Sequence, residues 1–438
     1  MKLSVIGCGY LGAVHAASMA ELGHDVIGID IDQSKIDALA AGTAPFFEPG
    51  LPEILTSATA TGRLRFSTDL ADAAGSQVHF IAVGTPQKKG SYAADLTYVN
   101  AALEGLLPYL SEGDLVVGKS TVPVGTAADL AAKIAASGSG AMLAWNPEFL
   151  REGFAVQDTI SPDRLVYGLP PETDQAEASK ALLDGVYASA LSKDTPLVVT
   201  DYATAELVKV SANAFLATKI SFINAMAEIA EVTGADVTQL STAIGLDDRI
   251  GWKFLKAGVG FGGGCLPKDI RAFTARAEEL GRGESVAFLK EVDAINLRRR
   301  QRVVDLAVEA LGGQVNGKKI AVLGLAFKPH SDDIRDSPAL DVAVQLKGRG
   351  ANVVATDPEA IHTASRVHPQ LTYEADPAAA LQDADLVVLV TEWDEFRHMD
   401  PSWALPLVKN PTIIDGRNTL EPVAWREAGW TYIGLGRP

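Results

Sequence analysis

Along the first two hundred positions, apolar residues fall in short, nearly continuous runs separated by Ala-rich stretches of helical length. The runs Leu3–Ile6, Val26–Asp30, Val78–Val83, Leu115–Lys119, Met142–Trp145, Arg164–Tyr167 and Leu197–Val199 read as strands. A strand that is apolar at almost every position is buried on both faces, the mark of a parallel sheet covered by helices. The pattern predicts an α/β fold with a Rossmann-like doubly wound sheet over residues 1–200.

At Thr200–Asp201 the period changes. Leu207, Val208, Phe215, Leu216, Phe222, Ile223, Met226, Ile229 and Ala230 recur every three to four residues, with no Pro or Gly until Gly234. This predicts one helix of about 30 residues, capped near Asp201, that joins domains and packs against a second copy of the chain. A second helical stretch covers about residues 285–311, after a glycine-rich loop. Strand runs then resume at Lys319–Leu323, Asn352–Thr356, Leu386–Val390 and Thr412–Asp415, predicting a smaller Rossmann-like domain. The expected division is therefore 1–200, a central helical region 201–312, and 313–438.

Composition narrows the function classes. Of 438 residues, 47% are hydrophobic and 21% charged, which excludes a disordered chain. With Lys plus Arg at 38 against Asp plus Glu at 55, the net charge is −17 and disfavours nucleic acid or an anionic membrane as partner. No apolar run reaches the roughly 18 residues of a spanning helix. The start, MKLSVIGCGYLG, runs straight into a strand and a glycine turn, without a signal-peptide layout. Two cysteines, Cys8 and Cys265, and seven scattered histidines offer neither a disulfide framework nor a metal centre. A cytoplasmic, multi-domain protein of a reducing compartment is expected.

The first strand leads into Gly7-Cys8-Gly9-Tyr10-Leu11-Gly12. In such a turn Gly7 permits the bend, Gly9 lets a pyrophosphate approach the backbone, and Gly12 allows close helix–strand packing. The helix N-terminus then offers N–H groups to the phosphates. The next strand run ends at Asp30, 18 positions after Gly12, placed to accept from ribose hydroxyls and to repel a 2′-phosphate. NAD is expected over NADP. Lys35 is expected to reach a phosphate or pack on the adenosine. Thr85 and Thr121, in loops after later strands, are candidate contacts in the same crevice. Cys8, inside the turn, reads as a packing residue.

Three further features carry candidate chemistry. In Gly260-Phe261-Gly262-Gly263-Gly264-Cys265-Leu266-Pro267-Lys268-Asp269, a lone cysteine follows three glycines, with a cation three residues on. That context suits an exposed nucleophile. Lys209 and Asn213, four apart, share a helix face; they suit either a snorkelling surface lysine or a pair that stabilises an oxyanion. Glu148 and Glu152 flank Phe149-Leu150-Arg151, as acid/base groups or as the first turn of a helix. A hydride acceptor combined with a reactive thiol points to oxidation of an alcohol to an acid through a thiohemiacetal and a thioester, with two NAD consumed.

Ordered motifs over nearly the whole chain resemble the nucleotide-sugar 6-dehydrogenases, on their UDP-glucose branch. They are GCGYLG at 7–12, VGTP at 83–86, STVPVGT at 120–126, NPEFLREG at 146–153, KVSANAFLATKISFIN at 209–224, GLDDRIGWKFLKAGVGFGGGCLPKD at 245–269 and GLAFKPHSDDIRDSP at 324–338. The resemblance implies Cys265 as nucleophile, Lys209 and Asn213 as oxyanion stabilisers, and Asp269, Thr121 and Glu148 as groups that position or activate water. Glu152, Lys268 and Arg335 would contact NAD. UDP-glucose would be held by Glu148, Phe149, Leu150, Arg151, Glu152, Lys209 and Asn213, and by Phe254, Leu255, Lys256, Ala257, Gly258, Gly262 and Lys328. Arg249 would reach the substrate of a neighbouring subunit in a homodimer. The C-terminal domain would hold the nucleotide, and its GLAF turn lacks the full dinucleotide fingerprint. The CLPKD motif is shared with GDP-mannose dehydrogenases. GDP-mannose or a UDP-N-acetylhexosamine are therefore alternative substrates. A single-step β-hydroxyacid dehydrogenase, which needs no thiol, and a non-catalytic NAD-binding protein are the other classes.

Overall fold

A computed structural model describes residues 1–438, which form two compact units. The first comprises Met1–Ala212 with Ala275–Gly281, and the second Asn213–Thr274 with Arg282–Pro438.

The first unit is built on strands β1 (Lys2–Ile6), β2 (Asp25–Ile29), β3 (Leu64–Ser67), β4 (Val78–Ile81), β5 (Leu115–Gly118), β6 (Met142–Trp145), β7 (Leu165–Leu169) and β8 (Leu197–Asp201). Their order is β3-β2-β1-β4-β5-β6-β7-β8. The first six in that order are parallel, in the doubly wound arrangement whose ligand crevice opens where the connections diverge from β1. Every residue of β4, β5 and β6 is buried, as the apolar runs require.

The wholly parallel sheet expected from those runs is not what forms. β7 meets β6 antiparallel, through Trp145 and Gly168, and β8 then follows β7 in parallel. The cause lies in the connection. After Trp145 the only helix before β7 is Ala155–Ile160, six residues, too short to carry the chain back along the sheet. The next strand therefore enters from the end where β6 left. At the edge, Val198 and Val199 of β8 are about half exposed, so burial on both faces fails there too.

The second unit repeats the plan with β9 (Lys319–Leu323), β10 (Asn352–Thr356), β11 (Thr372–Tyr373), β12 (Leu386–Leu389), β13 (Thr412–Asp415) and β14 (Thr431–Gly434). The order is β11-β10-β9-β12-β13-β14, all parallel, which reproduces β3-β2-β1-β4-β5-β6 position for position. β3, β11 and β14 were not marked by the apolar pattern; they are two to four residues long and mix in polar side chains.

The long helix spans Tyr202–Thr233, 32 residues. Asp201 caps it, accepting from the Thr204 N–H at 2.8 Å and the Thr204 hydroxyl at 2.9 Å, and Gly234 ends it at φ +76°. Its buried apolar positions are small or β-branched, among them Ala205, Ala217, Ile223 and Ala227, whereas Phe215, Phe222 and Ile229 are exposed. Two other helices matter to the site: Leu266–Glu279, which starts directly after Cys265, and Phe288–Ala310, close to the stretch predicted at 285–311. No helix is long and apolar enough to cross a membrane.

Candidate active site

The glycine turn has the shape its sequence calls for. Gly7 sits at φ +92°, and a Cβ on it would come 2.7 Å from Val83. A Cβ on Gly12 would lie 1.7 Å from the Gly7 carbonyl oxygen, so helix and strand touch there. A Cβ on Gly9 would meet nothing within 4 Å, which leaves open the space a pyrophosphate needs. The helix Tyr10–Glu21 begins at that point. Asp30 accepts from the Cys8 N–H at 2.8 Å, so the carboxylate expected to meet the ribose is tied to the turn itself. The Lys35 ammonium pairs with Asp30 at 2.9 Å, which ties it to the same corner of the turn. Cys8 is buried, and burial pushes its thiol up to about 12, which leaves it a packing residue.

The loops after β4 and β5 are stitched together from both sides. The Thr85 hydroxyl donates to the Thr121 carbonyl at 2.8 Å, and the Ser120 hydroxyl to the Val83 carbonyl at 2.6 Å. Glu206, on the long helix, accepts from the N–H groups of Gly125 and Ala127 at 2.8 and 2.7 Å. One turn further along that helix, buried Lys209 pairs with Glu148 at 3.0 Å. The second Glu148 oxygen accepts from the Leu150 N–H at 2.6 Å, which curls the loop around its own carboxylate. Phe149 lies beneath two cations, Arg164 at 3.8 Å and Lys209 at 5.6 Å from its centroid.

In the second unit, Cys265 is exposed and directly precedes the first turn of the helix Leu266–Glu279. In the same turn Asp269 is 2% exposed, held by the Asn213 amide at 2.7 Å and by Lys268 at 2.6 Å. The glycine loop before the thiol is clamped. Asn296, fully buried, accepts from the Phe261 N–H at 2.7 Å and donates to its carbonyl at 2.9 Å. A Cβ on Gly262 or Gly264 would come within 2.3 Å of the Asp336 carbonyl or the Arg335 guanidinium. Gly262 is thus required by its neighbours in the fold. Beyond β9 the turn Gly324–Phe327 repeats the layout of the first, with Asp357 accepting from Leu325 and Ala326 N–H at 2.7 and 3.0 Å and from the Trp393 indole at 3.0 Å.

Three sequence models of one family match the chain: the NAD-binding domain of the UDP-glucose/GDP-mannose dehydrogenases at residues 1–190, their central domain at 203–298 and their UDP-binding domain at 321–422. A UDP-glucose 6-dehydrogenase of Rhizobium meliloti is 42% identical over 441 residues, covering 100% of both chains. The chain belongs to the UDP-glucose/GDP-mannose dehydrogenase family. Among solved structures, a UDP-glucose dehydrogenase of Pyrobaculum islandicum superposes with a TM-score of 0.90 at 39% identity, over 100% of this chain and 98% of that one. A UDP-N-acetylmannosamine dehydrogenase of Pyrococcus horikoshii gives 0.86 at 27% identity, over 100% and 99%. NAD is the cofactor, bound by the domain that carries the glycine turn.

Within this dehydrogenase fold the expected substrate residues are placed unevenly. Leu255 and Ala257 are buried in an apolar cluster with Ile223 and Val237, so only their backbone is free to meet a ligand. Gly258 donates to Asn224 at 2.8 Å, while Phe254, at φ +63°, and Lys256 are exposed. Arg151 is committed to Asp158 through a bidentate pair at 2.6 and 2.9 Å. Arg249 projects from the surface, its side chain 89% exposed and paired with Asp247. Lys328 lies 5.4 Å from the Phe327 ring centroid, and Arg335 is paired with Asp333. Glu152 lies near the Tyr10 hydroxyl and raises its pKa, though burial is the larger cause.

Several site-building residues escaped the sequence reading. Glu48, buried, accepts from Gly153 and Ala155 N–H at 2.6 and 2.7 Å and from the Tyr10 hydroxyl, joining the glycine turn to the Glu148–Glu152 loop. Arg417 donates to the carbonyls of Val390, Gly260 and Phe327 at 2.8, 2.9 and 2.9 Å. Asn296 had a usable signal, since it sits on the buried stripe Leu289, Val292, Val303 of its helix.

Proposed function

We propose that the chain oxidises the C6 alcohol of UDP-glucose to UDP-glucuronate, with one water and two NAD consumed per sugar. The observation that carries this is the exposed Cys265 at a helix N-terminus, with Lys268 and Asp269 in its first turn and Asn213 of the long helix bonded to Asp269. NAD supplies the hydride acceptor for both oxidations when bound at the glycine turn. The Lys209 ammonium and the Asn213 amide, four residues apart on one helix, stabilise negative charge on the C6 oxygen. The Cys265 thiolate adds to the C6 aldehyde and forms a thiohemiacetal. Loss of the second hydride leaves a thioester. Water, positioned or activated by Asp269, Thr121 and Glu148, then attacks C6, the C–S bond breaks, and the thiolate is regenerated.

On this reading Gly7, Gly9, Tyr10, Leu11, Gly12, Asp30, Thr85 and Glu152 serve the cofactor in the first unit, and residues 313–438 serve the nucleotide. Residues 201–312 form the catalytic middle. The chain works as a homodimer: Phe215, Phe222 and Ile229 recur at seven-residue spacing on the exposed side of the long helix, an apolar seam suited to a second copy. Arg249 reaches the partner's substrate from its exposed turn. The need for a reduced catalytic thiol supports a cytoplasmic location.

The test is stoichiometric. Purified protein given UDP-glucose and excess NAD is expected to release two NADH per UDP-glucuronate, and Cys265→Ala to release no acid while folding normally. One NADH per sugar would refute the thioester route. Turnover of GDP-mannose or a UDP-N-acetylhexosamine in place of UDP-glucose would keep the chemistry and replace the substrate.

A further inference from the structure

The first unit buries an ammonium that the chemistry above does not use. Lys119 directly follows β5 and is 6% exposed. Its Nζ lies 2.9 Å from Asn146 Oδ1 and 3.2 Å from the Tyr187 hydroxyl, and 5.8 and 5.7 Å from the ring centroids of Phe80 and Tyr187. Its partners are an amide, a phenol and two aromatic faces; none is a carboxylate. A charge drawn out of water without a counter-charge in contact works against folding. Burial accordingly pushes this ammonium down to about 8, with Glu148 the opposing influence.

The hydrogen bonds of Lys119 do not explain its presence. Tyr187 donates to Asn146 Oδ1 at 2.6 Å, and Asn146 Nδ2 donates to the Val166 carbonyl at 2.9 Å. Both bonds survive without Lys119, so its removal leaves neither Asn146 nor Tyr187 unsatisfied. The Lys119 charge shares a cavity with Glu148. Lys119, Asn146, Pro147 and Glu148 line one cavity of about 50 Å³, enough for a bridging water. His15 on its wall stays neutral, because burial holds it well below the usual histidine range.

We propose that Lys119 is a positioning residue for Glu148. From the wall of the cavity that Glu148 lines, Lys119 adds a second positive charge to that of Lys209, which pairs with Glu148 at 3.0 Å. Glu148 is thereby held in one orientation, ready to take the proton of water. The role assigned to Glu148 is the one given under Proposed function.

The experiment compares Lys119→Met, close in shape and neutral, with Lys119→Arg. Lys119→Met is expected to melt at or above the wild-type temperature, because a buried charge has gone. Its kcat is expected to fall on the order of tenfold or more, with KM for UDP-glucose and NAD affinity nearly unchanged. Lys119→Arg restores part of kcat. An unchanged kcat in Lys119→Met would overturn the proposal, as would a loss of kcat matched by a lower melting temperature in both variants. A crystal structure of Lys119→Met separates this idea from the substrate assignment. If the wild type proves inactive on UDP-glucose, a displaced Glu148 still supports the positioning role, and an unmoved one refutes it.

Discussion

Three glycines of one turn carry three different constraints. Gly7 is held by its positive φ, Gly12 by the carbonyl 1.7 Å from where a Cβ would stand, and Gly9 by nothing in the protein. Substituting Gly12→Ala is therefore expected to destabilise the first unit by about 1–3 kcal/mol through overpacking, read as a drop in urea midpoint. Gly9→Ala is expected to keep the wild-type melting curve and lose NAD affinity, read by calorimetric titration. Equal melting losses in the two variants would show that Gly9 is a packing residue as well. At this scale much was legible. The fingerprint, Asp30 and Cys265 announce themselves by type and spacing. Residues whose role depends on a distant partner do not: Glu48 stands more than a hundred positions from Gly153 and Ala155, whose N–H groups it accepts. The pairing of Lys35 with Asp30 is equally silent in sequence, since a lysine near a dinucleotide turn has three plausible destinations and only the fold chooses.

Among the elements, periodicity fixed the long helix to within a residue at each end, because Asp201 and Gly234 are strong start and stop signals. It did not say which apolar residues go inside. The buried face is lined mainly by alanine, and the bulky Phe215, Phe222 and Ile229 are left outside. A Phe222→Arg substitution is accordingly expected to leave the helix intact by circular dichroism and to halve the mass seen in sedimentation. An unchanged mass would mean that this face is not an interface between copies. The helix Leu266–Glu279 went unmarked although Leu266, Ile270, Phe273 and Ala277 recur along one face and a proline holds its second position, a favoured starting place; the many charged residues between them hide that stripe behind the glycine-rich loop. The reversal at β7 was likewise hidden. Strand direction follows from the length of the preceding crossover, and the six-residue helix Ala155–Ile160 has no periodic signature of its own.

For the whole molecule, the two sheets divide the ligands. NAD is expected to slow amide exchange within Met1–Ala212, at the glycine turn and the loops after β4 and β5. UDP alone is expected to slow it within residues 321–422, the span of the family's UDP-binding domain. Hydrogen exchange with each ligand separately reads this directly, and protection of the first sheet by UDP alone would break the assignment. Two α/β halves were legible from the alternation of runs, and so was the difference in ligand, from the incomplete second fingerprint. The carboxylate that ends β10 explains that difference: Asp357 is filled by Leu325, Ala326 and Trp393 donors and has little left for a ribose.

The duplicated strand order also bears on synthesis at the ribosome. β1 reads KLSVI and β9 reads KIAVL, each centred in a sheet of the same order, so each has the pattern to take the other's place in a nascent chain. Misassembly between like halves is a characteristic failure of chains built this way. Here β8 ends at residue 201 and β9 begins at 319, a gap of 117 positions filled mostly by helices. At translation speeds of about 5–20 residues per second, that gap delays the second sheet by roughly 6–24 seconds. A domain-sized sheet closes in far less time. The helical middle thus acts as a clock, letting the first sheet seal its centre before its twin emerges.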